Sequence, residues 1–292
     1  MTMSTRIAPP DQVARATAFR DLHRAGGLIL PNAWDAISAR VLGAAGFPAV
    51  ATASAAIAFA RGYADGEHIT RDEMLAEVAL VARQLTIPVS ADVEAGYGPS
   101  LSDVEATVAG VIAAGAVGIN LEDALPAGPP PGATGPFSAL WPVEEAAARV
   151  AAARARADRD GLPLIINART DVFLLGLGAS DDERLAVATE RGRAYLAAGA
   201  DVVFVPGVRD EALVRRLAGA IGGPISLLAG PGTGSAAELF AAGACRISTG
   251  PHLLLSAMGH LRRVATMMRD DRSFAAFDHD HLSFGEADAF FA

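Results

Sequence analysis

The 292-residue chain is 51% apolar and 20% charged, enough to bury a large core and better suited to one big α/β domain than to two small ones. Its net charge of −9, the lack of any Arg-rich run and an aromatic content of only 6% exclude the electrostatic attraction and stacking surface on which nucleic-acid binding depends. A lone cysteine, Cys245, excludes an internal disulfide and a multi-cysteine metal site, and its apolar surroundings predict a small buried hydrophobe.

The first ten residues are polar and lack the apolar stretch of a secretory leader, and no apolar run reaches the ~18 residues needed to span a bilayer, so a cytoplasmic protein is expected. After an amphipathic helix at about 11–25, short apolar runs at 28–33, 48–53, 87–92, 117–122, 163–168, 202–206, 224–229 and 244–248 read as strands. Helical patterns follow them at 35–45, 71–85, 100–114, 142–159, 180–198, 209–220, 234–242 and 251–270. Eight strands, each followed by a helix, predict a parallel (β/α)8 TIM barrel occupying the whole chain. A doubly wound open sheet is the alternative, but the turn after its first strand, Pro31-Asn32-Ala33-Trp34-Asp35, has no glycine to approach a nucleotide. The phrase Gly230-Pro231-Gly232-Thr233-Gly234 lacks the lysine of a phosphate-binding loop and reads as a plain loop. Residues 124–141 form a Pro/Gly-rich excursion with the character of a lid. The tail 273–292 carries Phe274, Phe277, Phe284, Phe290 and Phe291 and is expected to pack on the barrel or on a neighbouring subunit.

In a parallel barrel the active groups project from the C-terminal strand ends, with alternate residues facing inward. That places Asp92 and Glu94 on one face after the third strand, Asn120 and Glu122 on one face of the fourth, and Asn167 and Arg169 on one face of the fifth. One arginine cannot neutralise Asp92, Glu94 and Glu122 together, so three converging carboxylates call for a divalent cation or shared protons. Oxygen ligands without a nearby histidine favour Mg²⁺ or Mn²⁺ over zinc. Arg169 would then be free to grip a substrate carboxylate with its two-pronged guanidinium. Asp65, in an Asp-Gly turn after the second strand, reads locally as structural; Asp35 reads as a helix cap, Asp123 and Asp171 as loop anchors. The six histidines have no partner at ligand spacing, so His68 and the group His252, His260, His279 and His281 are assigned surface or packing roles.

These phrases taken together resemble the isocitrate lyase/phosphoenolpyruvate mutase superfamily. The matching segments are PNAWDAISARVLGAAGF at 31–47, ADVEAGYG at 91–98, GINLEDA at 118–124 and INARTDVFL at 166–174, with VFVPG and CRISTGP further on. The resemblance implies a TIM barrel whose last helix is exchanged between subunits of a homotetramer or dimer, and Mg²⁺-dependent cleavage of C–C or P–C bonds in small 2-oxo or 2-hydroxy acids. It implies Asp92 as direct metal ligand, with Glu94 and Glu122 acting through metal-bound waters. It implies a catalytic role for Asp65, Glu122 and Arg169. Substrate contacts would come from the backbone at Ser54 and Ala55, from Asn120 and Asn167, and from Arg169 on the distal anionic group. Glu94 stands where the family usually has aspartate. The lid of the lyases carries a Lys-Arg/Lys-Cys-Gly-His run, whereas ALPAGPPPGATG here has no Cys, Lys or His, and Ala51 occupies the position of the lyases' tyrosine.

With the metal platform present and the lid chemistry absent, the equipment suits decarboxylation or retro-aldol cleavage through a stabilised enolate. A phosphoenolpyruvate mutase- or phosphonopyruvate hydrolase-type P–C bond enzyme and a non-catalytic 2-oxo acid binding protein are the alternatives.

Overall fold

The computed structural model describes residues 8–279 and 281–292; the start of the polar N-terminal segment, 1–7, lies outside them. Helix α1 (Pro10–Ala25) precedes β1 (Leu28–Leu30) and β2 (Asn32–Ala33), two halves of one strand divided at Pro31. Proline has no N–H to donate, but its carbonyl accepts from the Ala51 N–H at 2.9 Å, so pairing continues across the break. The chain then runs through α2 (Ala36–Ala44), β3 (Val50–Thr52), α3 (Ser54–Ala60), α4 (Arg71–Ala82), β4 (Val89–Asp92), α5 (Leu101–Ala113) and β5 (Gly118–Glu122). It continues with α6 (Val143–Arg159), β6 (Ile165–Arg169), α7 (Asp181–Ala197), β7 (Val202–Phe204), α8 (Glu211–Ile221), β8 (Ile225–Leu228), α9 (Ala236–Ala241), β9 (Ala244–Ser248) and α10 (His252–Asp270).

All strand pairs are parallel, and their spatial order is β1-β9-β8-β7-β6-β5-β4-β3-β2. Because β1 pairs with β9 and β2 with β3, the broken first strand joins both ends and closes the expected (β/α)8 barrel. Asn32 ties this seam: its Nδ2 donates to the Thr52 carbonyl, and its Oδ1 accepts from the backbone N–H groups of Thr249 and Gly250. The helices start where their caps predict, Asp35 accepting from Ser38 N–H and Thr70 from Glu73 N–H.

Helix α1 closes the N-terminal end of the barrel. Phe19 packs edge-on against His23 at 4.5 Å between ring centroids, and Gln12 caps the carbonyls of Ile112 and Ala116. Gly118 makes this possible, since a Cβ there would stand 2.8 Å from Phe19 and 3.0 Å from the Ser90 hydroxyl. Strand alternation in β9 turns Arg246 and Ser248 into the barrel and leaves Cys245 only partly buried, not the fully buried hydrophobe expected; burial still pushes its thiol up to about 11.

Helix α10 departs from this pattern. It buries only Val264, and Leu255, Met258, Leu261 and Met268 stay exposed. Beyond it a 3₁₀ turn (Ala275–Asp278) and α11 (Phe284–Ala289) leave Phe274, Phe277, Phe284 and Phe291 exposed, while Ala289 and Phe290 reach back to Gly43 of α2 and Leu85. Among the described residues no helix is long and apolar enough to cross a membrane.

Candidate active site

The C-terminal strand ends surround a cavity of about 320 Å³. Of the residues expected there, Ser54, Ala55, Asp65, Asp92, Asn120 and Arg169 line it. Glu94, Glu122 and Asn167 do not; each is turned to a neighbour behind the wall.

Asp92 ends β4, and its own N–H is held by the Thr52 hydroxyl at 2.9 Å. Its Oδ2 accepts from the Ser54 N–H at 3.0 Å and the Ser54 hydroxyl at 2.8 Å. Its Oδ1 is buried and has no hydrogen-bond partner. A polar oxygen left without a partner in a buried place is costly unless something occupies it. Ser54 is thus a support for Asp92, and its N–H is not left over for a substrate. Asp65 also lines the cavity, accepting from the Gly66 N–H at 3.1 Å; burial and then the charge of Asp92 hold its carboxyl above the usual range.

Glu94 lies in the left-handed region at φ 48°, in the loop after β4, and does not line the cavity. The carboxylate accepts from Glu67 N–H at 2.5 Å and from the Tyr97 hydroxyl at 3.2 Å. Burial, followed by the charges of Asp92 and Asp65, pushes the Glu94 carboxyl up to about 8. Glu67 answers by accepting from Tyr97 N–H at 2.9 Å. Glu67 and Tyr97 therefore belong to the site's support, a role no sequence motif announced.

Glu122 pairs with Arg169 Nη1 at 2.6 Å, and burial drives its carboxyl up against the pull of Arg169. The same guanidinium grips Asp171 with its other edge, Nε to Oδ1 at 2.6 Å and Nη2 to Oδ2 at 2.9 Å. Burial disfavours its charge, but Asp171, Glu122 and Asp92 together hold its pKa above the ordinary value. Arg169 is therefore not free, contrary to expectation: the i, i+2 spacing of Arg169 and Asp171 brings an anion to it. Asp123 anchors loops as expected, accepting from Asp171 N–H, Arg191 and the Tyr195 hydroxyl.

Asn120 and Asn167 are registered neighbours, and Asn167 Nδ2 donates to Asn120 Oδ1 at 2.8 Å. Arg246, wholly buried, donates to the same oxygen at 3.1 Å and to Ser248 Oγ at 3.0 Å. Both donors on Oδ1 leave the Asn120 amide nitrogen for the cavity. Burial pushes the Arg246 guanidinium down to about 10, with partial compensation from Cys245 and Asp92.

Among the described residues no three His, Cys, Asp or Glu side chains come together as a metal cage. The expected convergence of three carboxylates is thus replaced by Asp92 and Asp65 on the cavity, with Glu94 and Glu122 behind. That donor set fits Mg²⁺, which keeps several waters and takes only one or two carboxylates directly. The opposite wall is formed by Phe204, Leu174 and Leu228, with Arg209 and His252 at its end. No motif in the sequence points to Arg209, and His252 is a cavity residue and not the surface or packing histidine expected.

Residues 124–141 do not line this cavity. Leu125, Pro126 and Pro129–Pro131 instead face Glu67, Ala95 and Pro99 across a separate recess. Arg149 stacks on Trp141 at 4.7 Å and donates to the Ala95, Gly98 and Pro99 carbonyls, fixing the loop after β4.

Residues 19–269 match the family model described as phosphoenolpyruvate phosphomutase. The chain belongs to this family, within the isocitrate lyase/phosphoenolpyruvate mutase superfamily. It is 34% identical to protein Rv1998c of Mycobacterium tuberculosis (strain ATCC 25618 / H37Rv) over 80% of this chain and 81% of the relative. It is 34% identical to an oxaloacetate decarboxylase of Rhodopseudomonas palustris (strain TIE-1) over 73% and 70% of the two chains. A phosphonopyruvate hydrolase crystallised with oxalate and Mg²⁺ shares the fold, with a TM-score of 0.78 at 24% identity over 94% of the solved chain and 95% of this one.

Proposed function

We propose that the protein is a Mg²⁺-dependent carbon–carbon lyase that decarboxylates, or cleaves by retro-aldol reaction, a small 2-oxo or 2-hydroxy dicarboxylic acid. The observation that carries this reading is Asp92: it lines the cavity, one of its oxygens is locked by Ser54, and the other is buried without a hydrogen-bond partner. Asp92 would hold the cation directly and Asp65, on the same cavity, would reach it through water, while Glu94 and Glu122 would add their charge from behind the wall; Mn²⁺ suits the same oxygen donors. When bound, the cation draws off negative charge that develops on the 2-oxo oxygen as the neighbouring bond breaks.

The chain's own groups supply the rest. Asn120 offers its Nδ2 to a substrate oxygen, oriented by Asn167 and Arg246. The Ala55 N–H, in the first turn of α3, is a second donor at the cavity wall. Asp65, whose carboxyl is held above the usual range, is the group able to carry a proton at the cavity. Arg169 holds the Glu122 carboxyl in place through their 2.6 Å contact. The same reading takes the chain as a cytoplasmic homo-oligomer in which a second copy covers the exposed apolar face of α10.

The deciding experiment supplies Mg²⁺ and a panel of C3–C6 2-oxo and 2-hydroxy diacids, with product masses as readout. Pyruvate or CO₂ release that a chelator abolishes supports the reading. Phosphate release from phosphonopyruvate would replace it with P–C bond chemistry, the activity class of the matching family description. Ligand-induced thermal stabilisation without product would replace it with a binding protein.

A further inference from the structure

We infer that Arg209, with His252 beside it, is the seat of the substrate's second anionic group, so that the ligand is a dianion with an apolar middle held between Asp92 and Arg209. The inference rests on the proposed function, because it assumes that the 2-oxo carboxylate end sits at Asp92. Arg169, the natural candidate for this contact, already has Nε, Nη1 and Nη2 directed at Asp171 and Glu122. Arg209 lines the same cavity, and among the described residues it makes no ion pair or hydrogen bond. Its neighbour Asp210 is engaged in capping α8, accepting from Leu213 N–H at 2.8 Å. Burial and the charge of Arg209 hold the His252 imidazole below its ordinary pKa, and the ring stands beside Arg209 as a hydrogen-bonding group.

Two glycines show that this end is built to shape. A Cβ on Gly230 would lie 2.4 Å from His252 Nε2. Gly207 has φ 93°, and a Cβ there would lie 2.9 Å from the Leu174 nitrogen, so the loop bearing Arg209 closes tightly against the wall. Phe204, Leu174 and Leu228 add apolar surface to the same cavity, which suits methylene or alkyl-substituted carbons.

Calorimetric titration with Mg²⁺ tests this on wild type and Arg209→Gln, using oxalate, 2-oxoglutarate and 2-oxopentanoate. Oxalate reaches only the Asp92 end, and the two longer acids differ only in a distal carboxylate or methyl. Wild type is expected to bind oxalate and to prefer 2-oxoglutarate over 2-oxopentanoate by about tenfold, the scale of one charge-assisted contact. Arg209→Gln should keep oxalate affinity and melting temperature and lose that preference, and Arg209→Lys should restore part of it. If wild type binds oxalate but does not discriminate the longer acids, or if Arg209→Gln retains the discrimination, the inference is overturned while the proposed function stands. If wild type fails to bind oxalate with Mg²⁺, the proposed function itself falls.

Discussion

The two ends of the cavity are organised in opposite ways. Around β4–β6 charge is dense and nearly every group has a partner: Asp92 leans on Ser54, Glu94 on Glu67 and Tyr97, and Arg169 on Glu122 and Asp171. Around β7 and the start of α10 there are few polar groups, and among the described residues the Arg209 side chain makes no ion pair or hydrogen bond. The contrast separates two tasks. Groups that stabilise developing charge must be fixed before the reaction, so that no reorganisation is needed when charge moves. A group that recognises a substrate's end must stay open until the substrate arrives.

Substitutions at the fixed end should have the largest effects. Asp92→Ala is expected to lower Mg²⁺-dependent turnover by about 10³-fold, the scale of losing a major charge-stabilising group, while the melting temperature stays near wild type. Retained activity, or activity indifferent to a chelator, would break the distinction between the ends. Arg169→Gln removes the charge shared by Glu122 and Asp171 and is expected to lower unfolding free energy by about 3–5 kcal/mol, as for other broken buried pairs. Denaturant unfolding checks this; an unchanged midpoint with weakened substrate binding would return Arg169 to the role of an open anion clamp.

Beneath both ends, His23 is neutral in the barrel floor because burial and the charge of Arg246 lower its pKa from 6.5 to about 4. The unfolded chain binds that proton more readily, so the contribution is present above pH 6.5 and is lost as pH falls through about 4. At full strength it amounts to about 3 kcal/mol. His23→Gln should flatten the stability profile across this window, and an unchanged slope would dissociate the floor from Arg246. The smallest effect is expected from shortening 124–141 between Gly128 and Gly135, because this loop faces the far side of the β4 loop. Turnover should fall less than tenfold, about the effect of one modest contact, and complete loss would make the loop part of the fixed end.

How far the site could be read in the sequence follows the same division. Period-2 alternation located the strand ends, because it is a local property of each strand. It placed Asp92, Asn120 and Arg169 correctly at the rim and predicted caps such as Asp35. It could not say that Glu94 turns away, because that depends on a left-handed φ and on a backbone donor 27 residues distant. Nor did any local pattern mark Arg209 or His252.

The sequence by itself determined the barrel, its eight strand–helix repeats and the chemical types gathered at its rim, since hydrophobic periodicity and capping act over a few residues. Only the tertiary structure decided which of those groups face the cavity and which are already neutralised. Arg246 reaches Asn120 across 126 residues of chain, and the seam at Asn32 joins Thr249 across 217. Such partnerships exist only once the barrel has closed, and hydrogen bonds and ion pairs are set by distances of a few ångströms that no spacing along the chain encodes.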